Sequence, residues 1–146
     1  MKNIFTFALF LLMSVASFAQ IEFVEMAQSE VVGKIDHVYI EKVGKEDYNF
    51  YYKNVNEIAH EYVKFSFKNL DNDLDKLYNG LANGFETVPR DPLKMKANGE
   101  IVWLNYTRNA DNTVTLTIEQ NISIDPLLMA KSKDLTLDDI TALFRK

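Results

Sequence analysis

Two stretches of this chain alternate apolar and polar residues with a period of two, and each is followed by residues with helical periodicity. The first, DYNFYYKN at 47–54, packs Tyr48, Phe50, Tyr51 and Tyr52 into eight positions. The second, TVTLTIE at 113–119, sets Val114, Leu116 and Ile118 on one face. Period two makes a strand with one buried face, and a 3.6-residue period makes an amphipathic helix. A slide of 66 residues lays Tyr48, Phe50 and Tyr52 on Val114, Leu116 and Ile118, and DLDKLY (73–78) on DITALF (139–144). Identities are few, so the match is one of pattern: a hairpin, a further segment, then a helix, twice. This order predicts an α+β protein, an antiparallel sheet of about six strands with two helices packed on it, built as two related ββ(β)α halves. Val114, Leu116 and Ile118 read as core. By correspondence Tyr48, Phe50 and Tyr52 are core too, with hydroxyls expected to reach the rim.

The segment GKIDHVYIEKVGKEDYNFYYKN reads as a hairpin turning at Gly44 to Asp47. That turn sets Val43 opposite Tyr48, Glu41 opposite Phe50 and Tyr39 opposite Tyr52. Tyr39 and Val43 then share the aromatic core face, and Glu41 is the one acid placed on it. Val38, Ile40, Lys42, Asn49, Tyr51 and Lys53 point the other way. EYVKFSFKN (61–69) alternates as a third strand, with Val63, Phe65 and Phe67 on one face, although Val55 to Val63 also fits helical spacing. NLDNDLDKLYNGLANGF (69–85) is a helix with Leu70, Leu74, Leu77, Tyr78 and Leu81 in its stripe. Asp71 is its expected N-cap and Gly84 its exit; Gly80 is a mild defect or a place of close packing.

TVPRDP (87–92) reads as a connection, and Asn98-Gly99 as a two-residue hairpin turn. IVWLNY (101–106) is apolar on both faces, as a central strand is. In the final DLTLDDITALFRK, Thr136 and Asp139 have capping-box spacing and Leu135 and Ile140 that of a hydrophobic staple.

The chain opens with MKNIFTFALFLLMSVASFAQ. A basic start, a short apolar run and Ser17-Phe18-Ala19 match a secretory signal peptide cut after Ala19. The expected mature protein is one α+β domain over 20–146, periplasmic or extracellular. There is no cysteine, so disulfides, thiolate metal sites and Cys nucleophiles are excluded. With 16 Lys and Arg against 21 Asp and Glu, the net charge is −5, and nucleic acid is not an expected partner. No later segment is apolar enough to span a membrane.

Catalytic motifs are absent. HEYVK (60–64) has Lys64 where a zinc-protease motif needs its second His, and DNDLD (71–75) lacks the Gly and Glu of a calcium loop. His37 and His60 stand apart, so no metal site and no cofactor is expected. Tyr51, with Lys42 and Lys53 beside it, is the residue expected to touch a partner. Glu41 beside aromatic rings is expected to have a raised pKa. Lys94 and Lys96 fall on the same face as Trp103, across the Asn98-Gly99 hairpin, as a cation–π contact or the wall of a shallow anion pocket. These features predict a small exported, non-catalytic binding or accessory protein with a protein or small-molecule partner. The alternatives are a carrier with an apolar pocket of ~300–1,000 Å³ between sheet and helices, and, least favoured, a hydrolase with a motif-free carboxylate pair.

Overall fold

The computed structural model describes residues 27–56 and 61–146. The expected signal peptide, the start at Gln20 and His60 lie outside them. The class is α+β as expected, but the strands form two sheets instead of one. Strands β1 (Ser29–Ile35), β2 (Val38–Val43), β3 (Asp47–Lys53) and β4 (Tyr62–Lys68) make the first sheet in that order, and helix α1 (Asp73–Thr87) follows. Strands β5 (Leu93–Ala97), β6 (Glu100–Arg108), β7 (Val114–Asn121) and β8 (Met129–Lys131) make the second, and α2 (Leu137–Phe144) follows. All pairings are antiparallel. The two halves therefore share one order of elements, ββββα, one strand richer per half than the sequence pattern implies.

The core faces of β3 and β7 are those the alternation predicts: Tyr48, Phe50, Tyr52, Leu116 and Ile118 are all buried. The face of β2 is not. The loop after it is three residues long, Gly44 to Glu46, with Gly44 at φ 66°. Asp47 already pairs with Val43, so Ile40 meets Phe50 and Val38 meets Tyr52. Because side chains alternate, a one-residue slip exchanges both faces of a strand. Val38 and Ile40 are thus buried, and Tyr39 and Glu41 lie outward beside Tyr51.

β4 is a strand, as its own alternation predicts. Asn98 (φ 47°) and Gly99 (φ 88°) turn β5 into β6 with both φ angles positive, as a type I′ turn requires. α2 has the expected capping box: the Asp139 N–H donates to Thr136 Oγ1 at 3.1 Å, and the Thr136 N–H to Asp139 Oδ2 at 2.8 Å. α1 starts and ends later than expected. Its N-cap is Asn72, while Asp71 binds Lys76 Nζ at 2.8 Å and Leu70 is exposed. Its exit is Val88, because Gly84 serves a packing purpose.

Each helix reaches across to the sheet of the other half. α1 lies on β6, where Gly84 faces the Tyr106 ring so closely that any Cβ would collide with it. The Tyr106 hydroxyl donates to the Leu81 carbonyl at 2.8 Å, and Phe85 meets the same ring edge-on at 5.3 Å. α2 lies on β1 and β2, where a Cβ on Gly33 would strike the Leu143 carbonyl. The helices also touch each other through Tyr78 and Phe144. Buried side chains from both sheets and both helices join in one core.

Candidate functional site

The feature that stands out from this packing is a groove of about 800 Å³, open to solvent. One wall is the core-facing side of β4, with Phe65 and Phe67, and the floor is Leu77, Gly80 and Leu81 of α1. The other wall is β5, whose five residues all line the groove together with Asn98. β5 side chains alternate: Leu93 pairs with Leu104 on the core side, whereas Lys94 pairs with Trp103 on the outer side. A cavity that touches both faces of one strand must run along its edge. Among the described residues β5 pairs only with β6, and β4 only with β3, so each has an edge without a strand partner; on β4 the Lys64 carbonyl accepts from Gln120 Nε2 at 3.5 Å.

The lining is mostly hydrocarbon, with Lys68, Lys76, Lys94 and Lys96 around the mouth. Lys76 is engaged by Asp71 and Asp73 at 2.8 and 3.3 Å. Among the described residues Lys68, Lys94 and Lys96 have no ion-pair partner. Asp73 is the one acid in the lining. Its carboxylate accepts the backbone N–H groups of Asp71 and Leu70, at 3.1 and 3.0 Å, and these with Lys76 hold its pKa below the ordinary carboxylate value. It stays ionised and occupied.

Tyr51, Glu41 and Lys53, singled out in the sequence, lie elsewhere, on the outer face of the first sheet. Tyr51 and Glu41 come together there, which the expected register would have prevented. The Tyr51 hydroxyl donates to Glu41 Oε2 at 3.2 Å, and Asn49 Nδ2 donates to the same oxygen at 3.3 Å. Tyr39 stacks on Tyr51 at 4.5 Å, and Lys64 Nζ sits 5.6 Å from the Tyr51 ring. Burial pushes the Glu41 carboxyl up, but hydrogen bonds from Asn49, Ser29 and Tyr51 and the Lys64 charge outweigh it. Its pKa is lowered, the reverse of the expectation for an acid facing Phe50. Burial and the Glu41 charge raise that of Tyr51. Lys42 is not part of this cluster; it pairs with Tyr48 on the opposite face. Lys53 shares the face with Tyr51 but stands at the strand end, 3.5 Å from Glu61. Tyr51 is thus covered on its flanks by Tyr39 and Lys64, and the cluster satisfies itself.

One buried group departs from expectation. The Tyr52 hydroxyl does not reach the rim: it is buried without a partner among the described residues, and burial drives its pKa far up. His37 sits in the turn between β1 and β2, and its buried Nε2 likewise has no hydrogen-bond partner among the described residues. Among the described residues no three His, Cys, Asp or Glu side chains gather at a point where they could hold a metal ion, and no helix is long and apolar enough to cross a membrane.

The sequence did mark part of the groove, through Lys94 and Lys96 across the Asn98-Gly99 hairpin. It read Phe65, Leu77 and Leu81 as plain core, because nothing local says that β5 fails to pair with β4. Fold and site define a two-sheet α+β protein with an apolar, lysine-rimmed groove along a free strand edge. No protein-family model, curated protein or solved structure matches the chain.

Proposed function

We propose that this is a non-catalytic binding protein that works outside the cytoplasm and holds a slender ligand by an apolar face in the groove between β4, α1 and β5. The observation that carries the reading is the groove itself. Its volume of about 800 Å³ is that of a ligand site, and its walls are hydrocarbon where a packed core would close them. The chemistry of the lining agrees with binding: its single carboxylate is held ionised by neighbouring donors, so it is poorly suited to exchange a proton. Export rests on the N-terminal sequence, and the exported protein should begin at Gln20 by mass spectrometry.

Gly80 provides the test. It lines the groove, and a Cβ placed on it meets no atom within 4 Å. The open space there leaves room for a larger side chain, so Gly80→Trp is expected to reach into the groove. An environment-sensitive apolar dye should bind the wild type and lose most of its fluorescence gain with Gly80→Trp, while the melting temperature holds. A wild-type protein that leaves the dye unchanged, or equal binding by the variant, would overturn this reading.

A further inference from the structure

We infer that the ligand of this groove is an extended polypeptide segment that adds as a strand to the free edge of β5, with apolar residues alternating with acidic ones. The inference rests on the groove being a binding site and specifies its occupant. Three observations carry it. First, the groove follows the edge of β5 over the whole strand, touching Leu93, Met95 and Ala97 of one face and Lys94 and Lys96 of the other. A lipid or other hydrocarbon would use only the apolar wall. Backbone donors and acceptors along an open edge are satisfied by another backbone.

Second, the pairing rule of a sheet dictates what that strand carries. Residues opposite Leu93, Met95 and Ala97 turn toward Leu77 and Leu81 and must be apolar. Those opposite Lys94 and Lys96 lie on the outer face beside Trp103, where an acidic side chain meets its counter-charge. Third, Lys94 and Lys96 lack acidic partners among the described residues of a chain with net charge −5. Lysines on an edge strand also repel a second copy of the same edge, so they guard against self-pairing and admit an acidic partner.

A fluorescein-labelled peptide alternating Val and Glu over seven residues, its Lys-for-Glu counterpart and a copy of the first N-methylated at alternate residues test this by anisotropy. The acidic peptide should bind the wild type at least tenfold tighter than the other two. The double variant Lys94→Glu/Lys96→Glu should reverse the preference between acidic and basic peptides. Bound peptide should also slow hydrogen exchange of the β5 amides. If the N-methylated peptide binds as well as the parent, or charge reversal leaves the preference unchanged, strand addition is wrong. If the apolar dye binds, Gly80→Trp abolishes its binding and no peptide binds, the groove holds a hydrocarbon ligand and the inference falls alone. If neither dye nor peptide binds, both readings fall.

Discussion

The two halves follow one pattern with different side chains. The buried face of the first sheet is largely aromatic, with Tyr48, Phe50, Tyr52 and Phe65; that of the second is largely aliphatic, with Val102, Leu104, Leu116, Ile118 and Ala130. The helices differ in the opposite sense. The eight-residue α2 covers part of the aromatic sheet, and the fifteen-residue α1 lies on the aliphatic one. α2 packs mainly on β1 and β2, the part of that sheet whose buried side chains, Val38 and Ile40, are aliphatic. Alternation sets which face of each strand is buried. Leu77, Gly80 and Leu81 of the longer helix form the floor of the groove.

Truncation in each sheet tests this contrast most strongly. Phe50 stacks on Phe65 at 4.8 Å and is fully buried, so Phe50→Ala should cost about 3–5 kcal/mol. Leu116→Ala should cost about 2–5 kcal/mol and fall below it. Urea unfolding that ranks the two the other way would break the aromatic–aliphatic contrast.

The helix contacts come next. Gly33→Ala and Gly84→Ala should each cost about 1–3 kcal/mol through overpacking. Gly33→Ala should be the worse, because its obstacle is the Leu143 main chain, whereas Gly84 faces a side-chain ring. Equal melting temperatures for wild type and both variants would show that neither helix is seated as described.

Gly80→Ala acts in the other direction. With open space around its Cβ, it should stabilise the protein by about 0.5–1 kcal/mol, since glycine is costly inside a helix. A loss of stability would mean the groove is closed in solution.

The smallest effect belongs to Glu41. Its folded-state pKa is lowered, so its ionised form contributes stability that is present above the ordinary carboxylate pKa. That contribution disappears as pH falls through the lowered value. Glu41→Gln should therefore be slightly less stable than wild type at neutral pH, and the gap should close on acidification. A constant gap across the titration would show that Asn49 and Tyr51 do not favour the carboxylate.

Legibility varied from element to element for physical reasons. The capping box of α2 and the Asn98-Gly99 turn were readable because their chemistry is complete within four residues. β1 was missed because most of it is exposed, and β8 because it is three residues long; both are strands only by virtue of their partners. Gly84 looked like a helix end, since the sequence contains no sign that Tyr106 would press against it. The outward placement of Tyr51 was legible from β3 alone. Its bond to Glu41 was not, because that depended on a loop of three residues instead of four.

By itself the sequence determined the class, the buried faces of β3 and β7, the positions of two helices and the recurrence of one pattern in two halves. These follow from periodicities of 2 and 3.6, which each segment carries within itself. Only the tertiary structure decided the register of β2, the division into two sheets, the exchange of helices between halves and the open edge of β5. Those depend on which backbone meets which across long stretches of chain. A single residue more or less in a loop, or one glycine seated against a distant ring, changes that outcome without altering the pattern of either segment.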